Sequence, residues 1–385
     1  MSTMEIERLH TSGVYPKRDL EIVRGSGAHV WDADGREYID CVAGQGVALL
    51  GHCNRAVVAA VHTQAERLIT CPEVFYNDQR AKALALLVEQ APEGLNRVFL
   101  CNSGAEAVEA ALKFARLATG RTGFVAAMRG FHGRTFGALS ATWESKYRDP
   151  FLPLVPGFRH VPFDNLEALS AALDAEIAAV LLEVVQGEGG VRPCSPGYLA
   201  GAREVCDQHG ALLILDEVQT GCGRTGRMWA CQHHGVVPDL MCIGKGVAGG
   251  VPMGAVLFGS RTPDLPQGAH GSTFGGNALA AAAAVATLRY IRDQDLPGRA
   301  AQLGEWLLGR LREIQSPRIR EVRGMGLMIG IELKEKVKPH LLALQDQGVL
   351  ALPAGPIVLR LLPPLVIEQA DLERVVSAIE TTLSA

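Results

Sequence analysis

The sequence predicts an α/β protein with one large, mostly parallel sheet and a smaller α+β unit at its C-terminal end. Three observations lead there. Short apolar runs alternate with helical patterns from about residue 96 to 258, the signature of strands covered by crossover helices. Several of these runs end in polar, glycine-rich loops carrying an acid, a serine or a lysine, and in an open α/β sheet ligands bind at the carboxyl ends of the strands. From about residue 295 the order changes to a helix, a pair of strands, a helix, a strand and a final helix. At about 100–200 residues per domain, 385 residues suggest two or three domains. The expected division is an N-terminal segment 1–60 that joins the small domain, a large domain 61–290 and a small C-terminal domain 291–385.

Composition narrows the function classes. Hydrophobic residues make up 48% and charged residues 20%, so a large core is available. The net charge of −4 gives no reason to expect nucleic acid as a partner. The longest apolar stretches, such as 278–288, are too short to span a bilayer. The start MSTMEIERLH lacks the basic-then-apolar pattern of a secretory signal, and a cytoplasmic location is expected. Nine scattered cysteines without a C-x-x-C pair read as reduced thiols, with no metal site.

In chain order, Tyr15-Pro16-Lys17-Arg18 forms a turn before a short strand, and residues 31–35 make a hairpin turn whose returning strand is 37–40. Residues 44–52, GQGVALLGH, are glycine-rich, and 55–68 and 79–90 have helical periodicity. The strand 96–101 breaks at Asn102-Ser103-Gly104-Ala105, and a helix follows over 106–118. A strand, a Ser-Gly turn and a helix start form an anion site, because the free N–H groups and the helix dipole face the loop. A serine N-cap opening an ordinary helix is the plainer alternative.

The strand 123–127 leads to Gly130-Phe131-His132-Gly133-Arg134-Thr135. An aromatic ring there can stack on a cofactor and an arginine can pair with a carboxylate; equally, the ring can be core and the arginine solvated. A helix over 166–176 precedes the strand 177–183, whose loop carries Glu188 between glycines, either a functional acid or a surface charge. His270-Gly271-Ser272-Thr273-Phe274-Gly275-Gly276-Asn277 is a second Ser/Thr-Gly loop opening an alanine-rich helix. In the C-terminal unit, helix 297–314, strands 319–323 and 327–333, strand 357–362 and helix 369–383 are expected. Arg360 lies inside the apolar run VLRLL, so its charge needs a structural or a substrate partner.

The stretch 211–246 carries most of the chemistry. The apolar run 211–215 ends in Asp216-Glu217, and the run 239–243 ends in Gly244-Lys245-Gly246. A partly buried amine has the lowered pKa that a Schiff-base nucleophile needs. An Asp and a Lys on neighbouring strand ends suit pyridoxal phosphate, whose aldehyde takes the amine and whose ring nitrogen stays protonated against a carboxylate. A helix-capping Asp and a solvated Lys would look the same from these two residues alone.

Asn102-Ser103-Gly104-Ala105-Glu106-Ala107, Phe131-His132-Gly133-Arg134-Thr135, Asp216-Glu217-Val218-Gln219-Thr220-Gly221 with Gly223-Arg224-Thr225-Gly226, and Gly244-Lys245-Gly246, in this order, resemble the class III aminotransferases. These enzymes have the fold type I, aspartate aminotransferase-like architecture. The resemblance covers nearly the whole chain. It implies that Lys245 carries pyridoxal 5'-phosphate and moves the proton, that Asp216 holds the ring nitrogen, and that Gln219 lies near the ring's phenolic oxygen. It further implies that Ser103, Gly104 and Ala105 hold the phosphate, with Thr273 reaching it from a second subunit of a homodimer, and that Phe131 stacks on the ring with His132 beside it. Glu188 resembles the family's switch acid, pairing with Arg360 in one half-reaction and releasing it to 2-oxoglutarate or glutamate in the other. Arg134, Tyr15 and Ser272 would complete the substrate site.

Within the family, GVALLGH with Asn54 and the run Leu361-Leu362-Pro363-Pro364-Leu365 resemble the acetylornithine aminotransferases. The opening 11–18 resembles the branch that takes lysine attached to a small acidic amino-group carrier protein, which Lys17 and Arg18 would meet. The implied reaction moves the terminal amine of N-acetylornithine or carrier-linked lysine to 2-oxoglutarate. Free ornithine, 4-aminobutyrate and succinylornithine are the alternatives. Asn54-Arg55, where the family often has His-Pro, with Gln45 and Cys222, departs from its pattern.

Overall fold

The computed structural model describes residues 1–384. At its centre is a seven-stranded sheet in the order Leu95–Cys101, Gly254–Gly259, Leu240–Ile243, Leu212–Asp216, Ile177–Glu183, Gly123–Ala127, Phe158–Val161. Only Gly254–Gly259 runs antiparallel to its neighbours. The three middle strands Leu240–Ile243, Leu212–Asp216 and Ile177–Glu183 are buried at every position, which is why they read as unbroken apolar runs. The register sets Glu183 beside Asp216 and Asp216 beside Cys242, so three adjacent strands deliver their loops to one edge.

Helix Gly104–Thr119 covers one face of the sheet, with Ala107, Val108, Ala111, Phe114 and Ala115 buried. Helix Ala278–Asp293 packs against Arg55–Arg67 and Asp78–Glu89. Its buried alanines let these backbones approach closely. Asn54 caps helix Arg55–Arg67, accepting from Ala56 N at 3.0 Å, which gives the departure at this position a local role.

Several expected boundaries shift by a residue or two, the helix expected over 106–118 spanning Gly104–Thr119, and two ends shift for a reason the structure shows. The helix expected over 166–176 ends at Ala172. Arg159 binds the carbonyl of Ala172 at 2.9 Å and the carboxylate of Asp174 at 2.6 Å, and Asp174 takes the N–H of Glu176. This Asx turn redirects the chain into the strand at Ile177. The strand expected over 319–323 continues to Met325, and the hairpin turns at Gly326, where φ is 55°.

The C-terminal unit is an antiparallel sheet, Ile319–Met325, Met328–Leu333, Val358–Leu361, Leu352–Pro353. In the N-terminal sheet, Ile22–Ser26, His29–Asp32 and Glu37–Asp40 are joined by Val349–Leu350, parallel to Glu37–Asp40. Arg224, fully buried, staples the units together. Its guanidinium donates to the carbonyls of Leu327 (3.0 Å) and Pro363 (2.5 Å), while its own carbonyl accepts from Leu327 N. All nine cysteines are free, and among the described residues no helix is long and apolar enough to cross a membrane.

Candidate active site

The site lies at the carboxyl ends of the middle strands. Asp216, 5% exposed, closes strand Leu212–Asp216. Its Oδ1 accepts from Val218 N at 3.1 Å and its Oδ2 bonds His132 Nδ1 at 2.8 Å. Burial acts to lower the His132 pKa, but the hydrogen bond and the charges of Asp216 and Glu183 outweigh it, and the net direction is upward. His132 Nε2 is buried without a partner.

Lys245 opens the 3₁₀ turn Lys245–Ala248, separated from strand Leu240–Ile243 by Gly244 alone, with φ at +44°. A left-handed conformation is unfavourable for a side chain with a Cβ, and such strain persists where the surroundings fix it, commonly at active sites. Desolvation lowers the pKa of its amine, opposed by Asp216 and Glu188 and assisted by Arg360. Its aliphatic stem approaches the 43–47 loop, where a Cβ on Gly46 would lie 4.0 Å from Lys245 Cδ.

The helix start is held against this lysine loop. Ser103 is the N-cap, its Oγ accepting from Glu106 N at 3.2 Å, while Glu106 accepts from Asn102 N at 2.7 Å. The serine caps the helix, and Glu106 reaches back past it to the N–H of Asn102, the residue before the cap. The N–H groups of Gly104 and Ala105 find no acceptor among the described residues. A Cβ on Gly244 would stand 3.1 Å from Gly104 Cα, and one on Gly104 would stand 2.6 Å from a Val218 methyl. Two glycines therefore bring an anion-ready helix terminus beside a buried amine.

On the far side, Arg360 is 2% exposed. Its Nη1 donates to Glu188 Oε1 at 2.5 Å and to Gln219 Oε1 at 3.3 Å, and its Nε has no partner. The Glu188 loop is fixed from behind by Arg323, which donates to the carbonyls of Gly190 (2.6 Å) and Val191 (3.0 Å) and is itself paired with Glu332 at 2.8 Å.

Ser103, Gly104, Ala105, His132, Asp216, Gln219, Lys245, Glu188 and Arg360 are thus gathered at one edge. Phe131 lies on the same loop as His132, half-buried, with its ring edge-on to Tyr147 at 5.9 Å. Arg134 is exposed, its guanidinium 3.6 Å from the Tyr147 centroid. Ser272 accepts from Asn102 Nδ2 at 3.0 Å, while Thr273 and Phe274 beside it point to solvent. Tyr15 is 75% exposed. The basic turn is tied up within the chain: Lys17 pairs with Glu7, and Arg18 donates to the carbonyl of Ala351 at 2.7 Å. Sequence reasoning missed Val218, Gly46 and Glu183. Their roles depend on close approach and strand register, which no local pattern announces.

The residues present fit pyridoxal phosphate: a desolvated amine for its aldehyde, Asp216 for its ring nitrogen, and an unclaimed helix N-terminus for its phosphate. Fold and site together define a pyridoxal-phosphate-dependent enzyme of the fold type I architecture. Comparison with known proteins narrows this. A family model described as Aminotransferase class-III matches residues 13–383. A LysW-aminoadipate semialdehyde transaminase of Deinococcus radiodurans is 53% identical over 98% of this chain and 89% of its own length. An acetylornithine aminotransferase of Methanopyrus kandleri is 47% identical over 99% of this chain and 98% of its own. The crystal structure of the ornithine aminotransferase from Toxoplasma gondii superposes with a TM-score of 0.95 at 37% identity, covering 99% of this chain and 94% of that one. The chain belongs to the class III aminotransferases, and its cofactor is pyridoxal phosphate.

Proposed function

We propose that this aminotransferase moves the terminal amine of an α-N-substituted lysine or ornithine to 2-oxoglutarate, giving a semialdehyde and glutamate in lysine or arginine synthesis. The observation that carries the reading is the buried Arg360 paired with Glu188 beside Lys245. A terminal amine brings no carboxylate next to the reacting carbon, so in that half-reaction Glu188 keeps Arg360 neutralised. In the other half-reaction, the 1-carboxylate of 2-oxoglutarate takes Arg360 and Glu188 swings away. The cofactor supplies the electron sink. When it is bound, Asp216 would hold its ring nitrogen and Phe131 would stack on its ring, and Lys245, with its lowered pKa, would take the proton from the carbon bearing the transferred nitrogen.

Two relatives whose names specify a LysW-linked semialdehyde and acetylornithine support an α-N-substituted donor. An acidic carrier protein would be drawn to Arg134 and Lys146, which flank Tyr147 and have no carboxylate partner among the described residues. The working unit in this reading is a homodimer in the cytoplasm. Val74, Phe75, Tyr76 and Phe274 are 79%, 63%, 106% and 63% exposed in the single chain, a concentration of apolar surface that a second copy would cover. Residues 1–60 would join the small domain 291–385, and 61–290 would form the cofactor domain. The test is steady-state turnover with 2-oxoglutarate and, separately, N-acetylornithine, free ornithine, 4-aminobutyrate, succinylornithine and carrier-linked lysine, following glutamate. A kcat/KM at least about a hundredfold higher for an α-N-substituted donor is expected; preference for a free amino acid would overturn the reading.

A further inference from the structure

Glu183 has no role in the chemistry above, yet it lies at the junction of the loops that perform it. It closes strand Ile177–Glu183, directly in register with Asp216, and is 7% exposed. Its two oxygens are divided between two loops: Oε1 accepts from Phe131 N and Oε2 from Gly187 N, both at 2.9 Å. One loop bears Phe131 and His132, the other Glu188. A second bond at the same joint, Gln186 Nε2 to the Met128 carbonyl at 2.9 Å, ties them from the other side. There is no slack in the second loop, since a Cβ on Gly187 would lie 2.4 Å from Gln219 Oε1 and one on Gly189 2.6 Å from the Arg129 carbonyl.

We infer that Glu183 is a positioning residue, a single buried carboxylate that sets the ring-stacking loop and the switch-acid loop in register with each other and with Asp216. Burial beside Asp216, against the pull of His132, raises its pKa to about 7. An amide oxygen can accept one of the two N–H groups but leaves the other buried without a partner; alanine abandons both.

The experiment titrates pyridoxal phosphate onto the apo forms of wild type, Glu183→Gln and Glu183→Ala, with visible circular dichroism of the loaded enzymes and the melting temperature of the apo forms. Losing one or two such bonds predicts a dissociation constant raised about fivefold in E183Q and about tenfold or more in E183A, with a weakened cofactor dichroic band. In addition, the KM for the amine donor should rise more than that for 2-oxoglutarate, because a displaced Glu188 competes less for Arg360, a part that rests on the reading of Glu188 given above. Affinity and dichroism within twofold of wild type in both variants would overturn the inference, even if the apo melting temperature falls. Should E183A fail to fold, E183Q decides. Cofactor affinity does not depend on the donor, so failure of the proposed substrate class would leave this result standing.

Discussion

Substituting Gly104 by alanine tests the close approach on which the site is built. The added methyl would lie 2.6 and 2.8 Å from the two Val218 methyls and 3.3 Å from Val218 Cβ. Carbon atoms ordinarily meet at about 3.5–4.0 Å, so the overlap is about 1 Å. Val218 cannot turn aside easily. It is β-branched and stiff at χ1. The helix start must back away, taking the free N–H groups of Gly104 and Ala105 with it. Overpacking of this kind costs about 1–3 kcal/mol, a five- to 150-fold loss if it falls on cofactor binding, at about 1.4 kcal/mol per tenfold. The assay is a fluorescence titration of pyridoxal phosphate onto the apo enzyme. G104A should bind at least about fivefold more weakly than wild type, and adding Val218→Ala should recover part of the loss by removing the opposing methyls. An affinity within twofold of wild type, or a double variant no better than G104A, would refute the steric reasoning.

Three further outcomes are expected. Lys245→Ala should bind the cofactor without a covalent link, so that borohydride reduction leaves the protein mass unchanged, with turnover falling by about 10²–10⁴. In Glu188→Ala, Arg360 keeps its buried charge without its carboxylate, and a buried charge left without its partner destabilises the fold. The melting temperature should drop, and the KM for 2-oxoglutarate should fall because its competitor is gone, while the amine-donor half-reaction slows. The lowered Lys245 pKa also predicts a pH trend. Its folded-state value lies below the usual 10.5, so between the two values the unfolded chain binds more protons and apo stability rises with pH. Melting temperatures of wild type minus Lys245→Met, measured upward from pH 7 toward 10.5, should increase; a flat difference would contradict the burial of that amine.

The strands, their loops and the lysine were legible because buried parallel strands write themselves as apolar runs, and the residue that ends each run is the one delivered to the sheet edge. Asp216 and Lys245 are visible for that reason. Glu183 ends a run in the same way, but its importance comes from lying in register with Asp216, and register between strands far apart in sequence leaves no local trace. Val218 was inside a quoted motif, yet its role arises from the absence of side chains on Gly104 and Gly244. In the sequence the basic turn is expected to meet an acidic carrier protein, and only the folded chain brings Glu7 to Lys17 and the Ala351 carbonyl to Arg18. The helix stops at Ala172 although its apolar spacing continues to Leu173. The stop comes from Arg159, a residue on another element.

The most direct measurement is a single-turnover half-reaction, following the cofactor's absorbance as N-acetylornithine, free ornithine or carrier-linked lysine is added to the loaded enzyme without 2-oxoglutarate. Complete conversion of the cofactor to its aminated form by an α-N-substituted donor, reversed on adding 2-oxoglutarate, is the predicted result. Conversion by free ornithine at equal or lower concentration would contradict the substrate class, and no reversal by 2-oxoglutarate would contradict the assignment of Arg360 and Glu188.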